Sequence, residues 1–289
     1  DLFGYNRRAS ESAWAELTAL GQARYVVEMN LVADVASTYF SLQDLDEKIK
    51  LSQSTVTLRE RAFNIAKLRK ENGMVSGLEV RQAEVELESA KVTIPSLKLQ
   101  QLETTNRLKL LLADEQTHLS DGVGLTQQVI PVSIPVGIPS QVLQRRPDIL
   151  QVEAQLRAAN AKIGMATANL FPKITLTSEF GFESGELSGL LSGDSSYWEL
   201  IGGLTQPLFN AGKLRNDLTA AQERAYQVSL QYKKVVMNAF LEVSNQLMAF
   251  KSSQTIFSAQ KKLLVAASNY EKLARIRYRN GVASSLDFM

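Results

Sequence analysis

Leu68-Arg69-Lys70-Glu71-Asn72-Gly73-Met74-Val75-Ser76-Gly77-Leu78-Glu79-Val80 recurs as Ile276-Arg277-Tyr278-Arg279-Asn280-Gly281-Val282-Ala283-Ser284-Ser285-Leu286-Asp287-Phe288. The offset is a constant 208 positions, and it also pairs Asp34-Val35 with Glu242-Val243. Working upstream from each copy, Ala9 to Asn72 contains no proline and one glycine, Gly21, while Lys213 to Asn280 contains neither. Ala, Leu, Gln, Glu, Lys and Arg dominate both stretches, as helices require. Each therefore reads as one helix on the order of 100 Å long. Leu2-Phe3 precedes the first and Leu208-Phe209 the second. The two long helices are copies, each ending at an Asn-Gly turn followed by a Ser-containing helix start.

The second helix carries Val236, Phe240, Val243, Leu247, Phe250, Phe257 and Leu264 at a spacing near 3.5, a coiled-coil seam. Val235, Ala239, Leu263 and Tyr270 lie off that seam. A helix with two apolar seams suits a cylinder wall packed on both sides; an ordinary two-stranded coiled coil is the alternative. After Val80 the first copy continues as a helix from Arg81 to about Leu112, interrupted at Pro95. The corresponding helix of the second copy would follow Met289, and a matching β segment would precede Asp1. We therefore expect a core cut at both ends.

Strand signals gather in one place. In Lys173 to Glu183, Ile174, Leu176, Ser178, Phe180 and Phe182 alternate with Lys173, Thr175, Thr177, Glu179, Gly181 and Glu183. A Gly/Ser-rich stretch follows from Ser184 to Ser196. A second strand, from about Tyr197 to Phe209, puts Trp198, Leu200, Leu204 and Leu208 on one face. Both strands reach the roughly 9–11 residues of a membrane-spanning strand. Tyr197 and Trp198 suit an aromatic girdle. A soluble hairpin packed on helices is the competing reading. One hairpin cannot close a barrel, which needs about eight strands. The repeat predicts two hairpins per full chain, so three chains would supply about twelve strands, an even number within the known range.

Composition removes most other chemistry. The 289 residues hold 32 Lys+Arg and 30 Asp+Glu, a net charge of +2, too balanced for a strongly electrostatic nucleic-acid binder. Cysteine is absent and His118 is the one histidine, so disulfides, Cys/His zinc sites and a Cys nucleophile are excluded. His118 reads as a surface loop residue beside Ser120 and Asp121. Glu179, Glu183 and Glu199 read as the lining of the hairpin's polar side. No catalytic constellation, cofactor site or metal site is apparent, and the chain reads as no enzyme.

The segment Gly137-Ile138-Pro139-Ser140-Gln141-Val142-Leu143-Gln144-Arg145-Arg146-Pro147-Asp148-Ile149 resembles the signature of TolC-like outer-membrane efflux proteins, more narrowly the NodT-type outer-membrane factors. Ala154 to Gly164, Asn169-Leu170-Phe171-Pro172-Lys173-Ile174 and Gln206-Pro207-Leu208-Phe209-Asn210-Ala211-Gly212 also match. The resemblance implies a mainly α fold with a β-hairpin, in which long antiparallel coiled-coil helices wall an α-barrel and the hairpin contributes to a β-barrel. Along the chain it implies first-repeat α-barrel helices at 4–112, an equatorial segment at 113–147 (with Pro131, Pro135 and Pro139), and an α-barrel helix at 148–170. The outer-membrane hairpin follows at 171–209, then the second-repeat helix and periplasmic tip at 210–289.

The resemblance further implies a passive exit duct of a tripartite multidrug efflux pump, carrying drugs, toxic compounds or metal ions from periplasm to exterior. A soluble structural coiled-coil protein is the alternative function. The implied partners are a periplasmic adaptor, an inner-membrane pump, outer-membrane lipid and two further copies in a homotrimer, with no nucleic acid. The implied location is the outer membrane of a Gram-negative bacterium, extending into the periplasm, with a lipid-anchored Cys upstream of Asp1 left open. Tyr278, Arg279, Gly281 and Asp287 fall at the periplasmic gate. Ala283 stands where some members carry an Arg, and for Asp287 a capping acid is the alternative role. Asn72, Gly73, Ser76 and Leu78 form the first-repeat tip that contacts the adaptor. Leu176, Phe180, Leu200 and Leu204 face lipid. Arg145-Arg146 with Pro147 and Asp148 reads as a structural corner, Pro147 suiting the first helical position. A chain lacking the outer segments is not expected to close the native trimer, because strand edges would stay unpaired in lipid.

Overall fold

The computed structural model describes residues 1–114, 145–189 and 195–279, together with 124, 125 and 128. The elements are α1 (Tyr5–Glu71), α2 (Gly77–Leu112), α3 (Pro147–Ala168), β1 (Lys173–Phe182), β2 (Ser196–Thr205) and α4 (Lys213–Arg279). The fold is mainly α with one two-stranded antiparallel sheet. No described helix is long and apolar enough to cross a membrane.

The repeat is visible in the backbone. α1 and α4 are each described over 67 residues, and their first residues, Tyr5 and Lys213, keep the offset read from the sequence. Each is preceded by a left-handed glycine, Gly4 at φ 83° and Gly212 at φ 79°. A side chain at such a φ is strained, so glycine sets both helix starts. At the other end of α1, Gly73 sits at φ 68°. Its N–H donates to the Lys70 carbonyl and that of Met74 to Arg69, both at 2.9 Å. This pair of bonds satisfies carbonyls that the helix end leaves open. Ser76 then occupies the N-cap of α2 with extended backbone, but its hydroxyl makes no capping bond.

The chain divides into two compact units, Ala23–Val136 and Asp1–Gln22 with Gly137–Met289. In the first, α1 and α2 form an antiparallel helical hairpin. Ala66, Val80 and Ala83 pack with Phe63 next to the turn. Farther from it, Gln101 donates to Asp46 at 2.6 Å, and Leu42, Leu45, Ile49, Leu87 and Leu108 are buried. α2 begins at Gly77 rather than Arg81 and passes through Pro95 without a break. A mid-helix proline costs about 3 kcal/mol; apolar packing on both sides of it, through Leu87 and Leu108, holds the helix together.

In the second unit α3 packs antiparallel on α4. Arg146, at the start of α3, meets Glu242 well into α4, whereas Ala159 and Lys162 lie beside Ala221 and Arg224 near its beginning. Ala154, Ala158, Ala159 and Ala161 are buried, as are Ala221, Ala225 and Ala239 on α4. Such small residues let helix backbones approach closely at native packing density. The first turns of α1 join this seam. Ser12 donates to the Ala158 carbonyl at 3.4 Å and Lys162 pairs with Glu16 at 2.7 Å. A Cβ on Gly164 would lie 2.9 Å from the Arg8 side chain. Of the predicted seam on α4, Val236, Val243, Leu247 and Phe250 are half-buried, whereas Phe240, Phe257 and Leu264 are exposed within this chain.

Leu108, on α2 of the helical hairpin, is 1% exposed. Leu108→Ala should destabilise that helical hairpin by about 2–5 kcal/mol. Replacing the exposed Glu103 by Ala should stay within about 0.5 kcal/mol. Urea unfolding followed by helical circular dichroism measures both.

Candidate functional site

Three places carry functional geometry: the β-hairpin, the corner at the start of α3, and the turn after α1. β1 and β2 are ten residues each and pair antiparallel along their full length. Ile174 pairs with Leu204, Leu176 with Gly202, Ser178 with Leu200 and Phe180 with Trp198. Directly opposed residues share a face, so Ile174, Leu176, Phe180, Trp198, Leu200 and Leu204 make one apolar surface. All six are exposed in the single chain. Phe180 meets Phe182 edge to face at 5.7 Å.

The opposite face is polar. Thr177 pairs with Ile201, Glu179 with Glu199 and Gly181 with Tyr197. Like charges directly across a ladder repel. Tyr197 offsets part of this by donating its hydroxyl to Glu179 Oε1 at 2.8 Å. Its ring covers Gly181, whose added Cβ would come within 3.0 Å. The register thus corrects one expectation. Trp198 lies on the apolar face, but Tyr197 points to the polar one and does not pair with it in a girdle.

β2 also ends at Thr205, short of the expected Phe209. Pro207 has no N–H to donate to the ladder. Gln206 turns its side chain away to donate to the Leu170 carbonyl at 3.3 Å. Leu208 is consequently outside the strand. At the foot of the hairpin Phe3 stacks on Phe171, with centroids 4.9 Å apart and planes at 5°.

At the corner, Pro147 occupies the first turn of α3, as its missing N–H permits. The Arg146 guanidinium donates from Nε and Nη2 to both Asp148 carboxylate oxygens, at 3.0 and 2.8 Å. Nη2 also reaches Glu242 at 2.7 Å. Asp148 accepts the Ile149 N–H at 2.9 Å. The bond from Arg146, outweighing partial burial, holds the Asp148 carboxyl below its ordinary range. Arg146 therefore ties the start of α3 to α4, which fits the structural-corner reading; neighbouring Arg145 is exposed. That Glu242 would complete this corner was not legible from sequence, beyond its place opposite Asp34 in the repeat.

At the turn after α1, Asn72 donates its side-chain amide to the Leu68 carbonyl at 2.7 Å. Leu68, Met74 and Leu78 are exposed around it. The structure thus brings Asn72, Gly73, Ser76 and Leu78 together at one turn. Tyr278 and Arg279 close α4, with their side chains not described, and Gly281 and Asp287 lie outside the described residues, as do His118 and most of 113–147.

The model of the outer membrane efflux protein family matches residues 1–114 and 138–289. The chain belongs to the outer membrane efflux protein family. Probable efflux pump outer membrane protein TtgC of Pseudomonas putida is 35% identical over 290 residues, covering 100% of this chain and 60% of that protein. Cation efflux system protein CusC of Escherichia coli is 32% identical over 295 residues, covering 100% of this chain and 63% of CusC. The open-state crystal structure of the Neisseria gonorrhoeae MtrE outer membrane channel superposes with a TM-score of 0.91 at 31% identity. It covers 100% of this chain and 65% of MtrE. The chain thus spans about three-fifths of the length of these curated relatives. The fold is that of the family's channel structures, and membership places the chain at the outer membrane.

Asp148 has a depressed pKa in the folded chain, so it stabilises above its unfolded pKa of about 3.9 and loses that contribution as pH falls through the folded value. The difference in melting temperature between the native chain and Asp148→Asn should therefore be full at pH 7 and shrink below about pH 4. Thermal melts of both proteins across that range check it.

Proposed function

We propose that this chain forms part of a passive outer-membrane exit duct in a tripartite efflux pump, through which small molecules leave the periplasm. The observation that carries the proposal is the hairpin's two-faced register. One face carries Ile174, Leu176, Phe180, Trp198, Leu200 and Leu204, interrupted only by Ser178 and glycine, and the other bears Thr177, Glu179 and Glu199 beside Ile201. A strand pair with one lipid-compatible and one wet face fits the wall of a water-filled barrel. No step of catalysis is assigned to the duct, and the energy for transport comes from an inner-membrane pump.

In this reading Leu176, Phe180, Leu200 and Leu204 face lipid. Two strands cannot close a barrel, so several copies contribute, three in the homotrimer expected of the family. The turn bearing Asn72, Gly73, Ser76 and Leu78 is the contact for a periplasmic adaptor, and its exposed Met74 and Leu78 support an apolar tip-to-tip surface. Tyr278, Arg279, Gly281 and Asp287 form the periplasmic gate. In a symmetric assembly Asp287 would recur around the axis as a ring that attracts cations and repels anions. In the same reading the chain divides into helices at 4–112, 148–170 and 210–289, an equatorial segment at 113–147 and a hairpin at 171–209. Two relatives, the toluene efflux pump outer membrane protein TtgC of another Pseudomonas putida strain and the cation efflux system protein CusC, are named for different cargo, which supports a duct whose cargo is set by its pump.

The test is reconstitution of the full-length protein in planar bilayers. A stable ion conductance is expected. A full-length protein that stays in solution without detergent and conducts nothing would sink the proposal.

Position-specific labels extend the test. Spin labels at 176, 180, 200 and 204 should report lipid accessibility, and labels at 177 and 179 water. Leu200→Arg should destabilise the inserted protein by roughly 2–4 kcal/mol if the site lies near the bilayer midplane. Equal water access on both faces would remove the membrane assignment of the hairpin.

A further inference from the structure

We propose that the foot of the β-hairpin holds one phospholipid, its phosphate on Lys173 and an acyl chain along Ile174 and Leu176. The inference rests on the outer-membrane duct proposed above and adds a binding site to it. A cavity of about 670 Å³ opens where the start of α1, the end of α3, the start of β1 and the end of β2 meet, with Leu214 of α4 beside them. That volume falls within the roughly 300–1,000 Å³ of small-molecule pockets. Pro172 and Pro207 lie on its wall and turn the chain out of the ladder at the two strand ends. The wall is divided in character. Phe171, Ile174, Leu176 and Leu214 supply apolar surface, whereas Asn169 and Lys173 supply hydrogen-bond donors.

Charge and position select the occupant. Lys173 opens β1, is exposed, and among the described residues pairs with no carboxylate. The acid on the same wall, Asp1, is engaged elsewhere: its carboxylate accepts the Arg7 N–H at 2.9 Å and lies 3.8 Å from the Arg7 guanidinium. The cavity therefore presents an uncompensated ammonium, a point charge suited to phosphate. Ile174 and Leu176 run from the cavity into the exposed apolar face of the hairpin. An acyl chain lying on them stays on apolar surface as it leaves the foot. No described helix is long and apolar enough to cross a membrane, so the boundary between hydrocarbon and water falls at the foot, where hairpin gives way to helices. A ligand matching both walls has an anionic head and a long apolar tail, which on the helix side of an outer membrane is a glycerophospholipid. Inorganic phosphate would leave the apolar wall bare, and a neutral diacylglycerol would leave Lys173 without a counter-charge.

The experiment uses the full-length protein in dodecyl maltoside micelles, which carry no phosphate, and a phosphatidylglycerol bearing a diazirine on one acyl chain. After irradiation the adducts are located by peptide mass spectrometry. They should concentrate at 168–176 and at Leu214. Lys173→Gln should lower them about tenfold, as expected for one lost charge-assisted bond, whereas Lys173→Arg should retain them. Unlabelled phosphatidylglycerol should displace the probe, and inorganic phosphate or diacylglycerol should not. Adducts spread along the hairpin with none at its foot would mark ordinary boundary lipid, or a foot filled by another part of the chain, and would overturn the inference. So would equal labelling of Lys173→Gln and the native protein, equal loss in both Lys173 variants, or displacement by either competitor. Conductance of the same preparation in planar bilayers separates the two levels. A conducting protein without lipid at the foot removes this site alone, whereas a protein that neither conducts nor takes up labelled lipid removes the membrane reading with it.

Discussion

In the membrane setting proposed for the hairpin, backbone hydrogen bonding in hydrocarbon is the constraint on which the rest depends. A strand in lipid has no water to satisfy its outer N–H and C=O groups, so both of its edges have to be paired by protein. Among the described residues β1 and β2 pair only each other and leave two edges open. An apolar face of ten-residue strands makes sense only with those edges closed, and a single hairpin is marginal alone even in water. The demand for further strands therefore comes from the hairpin's own chemistry. It reaches the helices as well, because each strand leads directly from or into one.

Apolar positions of α4 are exposed as well. Ile49 and Phe257 occupy equivalent positions in the two copies. Ile49 is 7% exposed, whereas Phe257 is 63% exposed. The sequence pattern of the two helices is alike; what differs among the described residues is how far each is buried. Apolar seams with a 3.5-residue spacing are stabilised only when a neighbour buries them. The buried small-residue seam between α3 and α4 shows what a completed contact looks like. Ala158, Ala161, Ala221 and Ala225 bring the backbones together, and Arg146 pins the end of α3 through Asp148 and Glu242. Exposed pairs elsewhere on these helices, such as Arg24 with Glu28, contribute little by comparison.

Sequence alone determined the long helices, their shared register and the turn between α1 and α2. Those features rest on local rules: absence of proline, helix-forming composition, and glycine where φ is positive. Alternation likewise determined both strands and the face that carries Leu176, Phe180, Leu200 and Leu204. The efflux signature was legible because Pro147 and Asp148 serve a local helix start. Only tertiary structure decided where β2 stops, because Gln206 is drawn to Leu170 across the foot of the hairpin. Only cross-strand register sent Tyr197 to Glu179 and Trp198 to Phe180. Packing carried α2 through Pro95, where local propensity predicts an interruption. Arg146 with Glu242, and Phe3 with Phe171, join residues far apart in the chain. Such contacts follow from which elements pack together, and no periodicity within either segment encodes them.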